Sequence, residues 1–207
     1  MQDNQAILIP EATYHIYNRA NGSEALFLSN ENYQYFLKKY SEYINPIADT
    51  FCYCLMPNHF HFLVRIKEEA VLNRFFEDKL NRLKAKGNKD LQGFQNLEGL
   101  ISQQFSNFFN AYAKAFNKQQ NRKGSLFRHP FKRKQITDDI YLRNLIHYIH
   151  YNPIAGGFTE TLDAWRYSSY HTIVSEGHTS VASEAVIALF DDRDNLNIII
   201  IKNLMNL

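Results

Sequence analysis

The stretch DTFCYCLMPNHFHFLVRI, Asp49 to Ile66, holds two β-prone runs separated by little more than Pro57-Asn58. This is the pattern of a tight antiparallel hairpin. Successive side chains of a strand point to opposite faces, so Phe60, Phe62 and Val64 share one face and His59 and His61 the other. The apolar face supplies a core and leaves both imidazoles on the second face. Same-face residues two apart lie roughly 6–7 Å apart along the strand. Two imidazoles can close that span onto one ion at about 2 Å each. A His-x-His pair alone is more often two surface histidines than a metal site. A turn at Pro57-Asn58 also sets Cys54 across from His61, which makes a Cys₂His₂ zinc site of Cys52, Cys54, His59 and His61 conceivable. The spacing fits no zinc pattern with a clear mechanism, and buried cysteines acting as small apolar residues are the simpler reading.

Outward from the hairpin, TYHIYNRA (Thr13 to Ala20) alternates and stops at Asn21-Gly22, a strand followed by a turn. From Ser29, a capping residue, Tyr33, Phe36, Leu37 and Tyr40 recur at helical spacing until Asn45-Pro46. Between Lys67 and Gly99 the chain is polar and of mixed charge. A helical pattern surrounds VLNRFFEDKLNRL and a loop surrounds residues 86–90, so 66–99 reads as a surface insertion without chemistry. Phe105, Phe108, Phe109, Tyr112 and Phe116 mark a strongly amphipathic helix. GSLFRHPFKRKQI then reads as a strand or ribbon, and DDIYLRNLIHYIHYNP as another helix. The order β-α-β-β-α-β-α predicts an α+β, ferredoxin-like sandwich with an antiparallel central sheet. We expect one domain over residues 1–175 and a C-terminal helical extension over 176–207, ending in LNIIIIKNLMNL.

In the last clear helix, Leu142, Leu145, Ile146 and Ile149 define the buried stripe. At 100° per residue Tyr148 falls about 110° from its centre, with Asn152 one turn further along the same edge. His150 points about 160° away from Tyr148. Pro153 biases Asn152 away from helical backbone, and Gly156-Gly157 follow, so the pair is expected at a helix end. A phenol of ordinary pKa is a weak nucleophile, and attack on a phosphodiester needs the substrate's charge neutralised. A divalent ion on His59 and His61 would do that, and Asn152 could add a hard oxygen donor, a set that suits Mg²⁺ or Mn²⁺ with positions left for phosphate.

The 207 residues carry 23 Lys+Arg against 21 Asp+Glu, a net charge of +2, so any polyanion argument rests on where the charges sit. They sit unevenly. From Gly99 to Thr137 there is no Asp or Glu, while Lys114, Lys118, Arg122, Lys123, Arg128, Lys132, Arg133 and Lys134 all fall there, with Phe116, Phe127 and Phe131 interleaved. Grooves in which bases stack and phosphates pair with cations have this composition, although a solvated charged face has it too. Two cysteines are too few and too close for a disulfide framework. The start MQDNQAILIP lacks a signal-peptide pattern and no apolar run reaches membrane-spanning length, so the expectation is a cytoplasmic protein with no membrane partner.

Taken in order, YHIYNRANGSEALF, CLMPNHFHFLV, GSLFRHPFKRK, YIHYNPIAGG and WRYSSY resemble the single-tyrosine HUH transposases, most closely the REP-associated tyrosine transposases. These stretches run from residue 14 to about 170, most of the chain. The resemblance implies a ferredoxin-like nuclease domain with His59 and His61 as ligands of a divalent metal ion, Tyr148 as nucleophile and Asn152 completing the site. It implies cleavage of single-stranded DNA, often beside an imperfect hairpin, through a 5′-phosphotyrosine. Arg19 and the basic segment (Lys114, Arg122, Arg128, Lys132 and Arg133) would hold the DNA. Family members differ in whether the tyrosine helix serves its own chain or a homodimer partner. The competing readings are a hairpin-binding protein without catalysis and, third, a structural zinc module.

Overall fold

A computed structural model describes residues 5–85, 96–175, 180–193 and 195–196. The strands are β1 (Thr13–Arg19), β2 (Ala48–Met56), β3 (His59–Ile66) and β4 (Lys132–Ile136). They form one sheet in the order β2-β3-β1-β4, every neighbouring pair antiparallel. Helix α1 (Asn30–Tyr43) connects β1 to β2, and β3 lies between those two strands. This is the split βαβ arrangement of a ferredoxin-like fold. Two helices, α2 (Glu69–Ala85) and α3 (Leu97–Gln119), precede β4, and α4 (Asp139–Ala155), α5 (Tyr170–Val174) and α6 (Ser183–Ala188) follow it.

The hairpin turns where the sequence expects, with Met56 paired to His59 across Pro57-Asn58. Proline at the first turn position denies the positive φ that the favoured two-residue turns use. Tertiary bonds hold this turn instead. The Pro57 carbonyl accepts from the amides of Leu26 (2.7 Å) and Phe27 (3.1 Å), and the Asn58 carbonyl from that of Ala20 (2.8 Å). The loop that supplies them turns at Gly22, whose φ of +70° favours glycine.

Alternation divides the sheet into two faces. Tyr14, Ile16, Phe60, Phe62 and Val64 pack into a first core beneath α1 and α3, built on rings such as Phe36, Phe108 and Tyr112. Helix α2 adds Leu72 and Phe76 to that core, so this part of the 66–99 stretch is packed; residues 86–95 lie outside the described residues. The second face carries another core, in which Cys52, Cys54, Met56 and Leu63 meet Ile146 and Ile149 of α4, Ile173 of α5 and Val186 of α6. A bulge between Thr50 and Cys52 sets this division in β2. Before it Thr50 faces the first core, where its hydroxyl bonds Tyr40 at 2.7 Å; after it Cys52 and Cys54 face the second.

The free edge of β2 is covered by later chain: the Leu55 amide donates to Tyr167 O (2.9 Å), Ser169 N to Tyr53 O (2.9 Å) and Ala182 N to Thr50 O (2.8 Å). Val186, Phe190 and Leu196 lie in the second core with α4, while residues 197–207, most of the apolar C-terminal tail, lie outside the described residues. Among the described residues no helix is long and apolar enough to cross a membrane.

Candidate active site and nucleic-acid interface

The second face of the sheet is only partly covered. Helix α4 lies chiefly across β2, leaving the β3, β1 and β4 columns open at one end. Register fills those columns with polar and aromatic groups: Arg19 is opposite His59, Tyr17 opposite His61 and Lys132, and His15 opposite Leu63 and Lys134. All of these lie on the face that bears the two histidines.

His59 and His61 are held through the same ring atom. His59 Nδ1 is 2.7 Å from Asn58 Oδ1, and His61 Nδ1 is 2.8 Å from His15 Nε2. Engagement of both Nδ1 atoms leaves the Nε2 atoms as the donors for a ligand. Burial pushes the pKa of all three histidines down: His15 to about 3, with Lys134 adding to it; His61 well below its ordinary value, with His15 and His59 adding; and His59 less, since the Asn152 amide opposes the shift. Neutral imidazoles are the form that ligates metals.

Asn152 is oriented by its own helix, because its Nδ2 donates to Tyr148 O at 2.7 Å and its Oδ1 then lies 3.5 Å from His59 Nε2. Two donors bound to one ion at about 2.1 Å stand roughly 3–3.6 Å apart. The donor set of two neutral imidazoles, each anchored at its other nitrogen, and one amide oxygen therefore fits a divalent ion with open positions. The Tyr148 ring, 49% exposed, stands edge-on to His61 with centroids 5.4 Å apart. His150 is buried on the other side of α4, its Nε2 2.9 Å from Ser169 Oγ.

Tyr148 and the histidines border a cavity of about 390 Å³ that Arg19, Arg128 and Lys132 also line. Buried Asn18 builds this cationic rim. Its Nδ2 donates to Arg128 O at 2.9 Å while its Oδ1 accepts the Arg19 amide at 2.8 Å, which ties the segment before β4 to the end of β1.

The remaining cations of the basic segment lie elsewhere. Lys114 is exposed on α3, the layer over the opposite face of the sheet. Arg122 is ion-paired with Glu24 and donates to Asn117 Oδ1 (3.0 Å) and Ser125 O (3.0 Å), so it organises the loop after α3. Arg133 points to the Ile16 side of β4, where it lies over the Phe131 ring and donates to Ala6 O at 2.7 Å. Strand alternation separates it from Lys132 and Lys134. His15, Tyr17 and Asn18 are residues of this face and rim that do not stand out in the sequence, where Lys134 is named only as one cation of the basic stretch. Alternation of β1 from Arg19 would have placed Tyr17 and His15 on the site's face; the His15–His61 contact depends on a strand register the sequence does not display.

The Cys₂His₂ grouping does not form. Although Cys54 is opposite His61, both cysteines are wholly buried in the second core, burial pushes both thiols up, and Cys54 Sγ lies against Met56 Sδ at 3.8 Å. Among the described residues no three His, Cys, Asp or Glu side chains gather as a metal-ligating group.

No protein-family model matches the chain. In sequence it is similar to a Haemophilus influenzae protein whose curated name places it among the REP-associated tyrosine transposases, with 27% identity over 125 residues. The match spans 59% of this chain and 59% of the length of that relative. In fold it is similar to a solved structure described as a REP-associated tyrosine transposase bound to a REP hairpin, with a TM-score of 0.57 at 14% identity over 87% of this chain and 90% of that one. The likeness read from the five motifs thus recurs in a sequence relative and, separately, in the fold.

Proposed function

We propose that this chain is a transposase-like enzyme that cleaves and rejoins single-stranded DNA beside a hairpin, with Tyr148 as nucleophile. The observation that carries the reading is a tyrosine, half exposed at the mouth of a cationic cavity, with its ring 5.4 Å from that of His61. An exposed tyrosine alone is ordinary. One placed over paired neutral imidazoles and three cations has a phosphodiester to attack. The named relative and the hairpin-bound structure of similar fold support hairpin DNA as the partner.

In the proposed step Tyr148 Oη bonds to phosphorus as the P–O3′ bond breaks. The DNA 5′ end is left on the tyrosine, and the phenolic proton ends on the departing 3′ oxygen. An incoming 3′-hydroxyl reverses the exchange, and the retained phosphodiester energy makes a nucleotide cofactor unnecessary. Arg19, Arg128 and Lys132 would hold the flanking phosphates. His59, His61 and Asn152 would hold a Mg²⁺ or Mn²⁺ ion, which when bound neutralises phosphate charge and orients the reacting group.

Incubation with single-stranded hairpin DNA and Mg²⁺ or Mn²⁺ is expected to give a denaturation-resistant protein–DNA adduct that Tyr148→Phe abolishes. Undiminished adduct from that variant sinks the assignment. Metal-independent, salt-sensitive binding with no adduct would instead favour a hairpin-binding protein without catalysis.

A further inference from the structure

Tyr141, Asn144, Tyr148 and Asn152 follow one another on α4 at i, i+3, i+7 and i+11. At 100° per residue they fall within a band about 80° wide. The proposed reaction uses the last two; the first two border a second cavity of about 380 Å³. It adjoins the first, since Tyr17, His61 and Tyr148 line both. His15, Lys134 and Leu145 complete its lining, and among the described residues no acidic side chain lines it.

The chemistry of this cavity differs from that of the first. The first is rimmed by three cations, whereas the second has one ammonium and adds the Tyr141 ring to the shared Tyr17 and Tyr148, with two imidazoles (His15 and His61), one aliphatic side chain and one amide. Tyr141 is 39% exposed, and Lys134 Nζ rests 4.0 Å from its ring centroid. A lysine on a four-carbon stem can leave a ring for a nearby phosphate, uncovering the aromatic face. Aromatic faces beside a single cation bind the base and phosphate of one nucleotide. The volume falls in the roughly 300–1,000 Å³ range of small-ligand sites.

We propose that this cavity is a nucleobase subsite for a nucleotide adjoining the scissile phosphate, with Tyr141 as stacking face, Lys134 on the phosphate and Asn144 meeting the base edge. The inference rests on the strand-transfer reading of Tyr148, because a polymer attacked between the two cavities occupies both. Asn144 is the group able to discriminate among bases, through its paired amide donor and acceptor.

The test uses photocrosslinking, which needs no turnover. Single-stranded hairpin oligonucleotides carrying 5-iodouracil at successive flanking positions are bound to full-length Tyr148→Phe protein, irradiated and mapped by mass spectrometry. One position is expected to crosslink to the peptide containing Tyr141. Adding Tyr141→Ala should remove that crosslink and weaken binding about tenfold or more, while Tyr141→Phe keeps both. DNA that binds yet crosslinks only elsewhere, or affinity indifferent to Tyr141→Ala, overturns the subsite. An adduct from the Tyr148-containing protein without the Tyr141 crosslink overturns the subsite alone. The crosslink without any adduct overturns the strand-transfer reading alone, and no binding overturns both.

Discussion

At the scale of single residues, His15 has the most specific consequence. Its Nε2 lies 2.8 Å from His61 Nδ1, and both rings are buried. If His61 is to offer its Nε2 lone pair to a metal, its Nδ1 carries the proton and donates to His15. On that proposed reading His15 is a positioning residue, selecting the tautomer and fixing the ring plane of His61 without itself touching the ion. His15→Ala is expected to weaken Mn²⁺ binding by about 10–100-fold, measured by electron paramagnetic resonance of free Mn²⁺. His15→Gln, whose amide oxygen can accept the same proton, should recover part of the loss. Equal affinities in all three folded proteins would remove this role. That His59 and His61 share one face was legible because they are two apart in one strand. The His15 partner was not, because Tyr14 to Arg19 pairs with His59 to Val64 only once the sheet has assembled.

At the scale of elements, α4 carries the proposed nucleophile and departs from its local sequence signals. Pro153 and the residue before it argue for an ending near Asn152, yet the helix runs from Asp139 to Ala155 with Pro153 inside and buried. A proline within a helix forfeits one hydrogen bond. Packing of Ile146, Ile149 and Pro153 outweighs that loss here, and beyond Ala155 the chain turns at Gly157, with a φ of +69°. The stripe of Leu142, Leu145, Ile146 and Ile149 was readable because helical periodicity is local, and so was the flank that bears Tyr148. The N-terminal end has a defined cap, with Asp138 Oδ1 accepting the Tyr141 amide at 2.6 Å. Asp138→Ala is expected to cost about 1 kcal/mol of stability, within a range of ~0.5–2, read as a lower urea midpoint at unchanged slope. An unchanged midpoint would show that packing alone fixes the start of α4.

At the scale of the molecule, the fold was readable to the extent that each element announces its own period. The cationic rim was readable only in part. An acid-free run of eight cations looks like one patch in the sequence, but of these Arg128 and Lys132 line the first cavity, beside Arg19 of β1, while Arg133 is turned away by alternation and Arg122 is taken by Glu24. Which side of β4 faced the histidines depended on pairing with β1, and Glu24 reaches Arg122 across 98 residues of sequence. A single junction has the widest consequence. Only Thr137 and Asp138 separate the end of β4 from the start of α4. Two extended residues reach at most about 7 Å. That tether holds the start of α4 beside its own sheet, and Tyr148 lies against His61 of the same chain, so on the proposed reading each copy is expected to act with its own tyrosine. Two crippled proteins, Tyr148→Phe and His61→Ala, should therefore stay inactive when mixed. A restored adduct would mean that α4 of one copy serves the sheet of another.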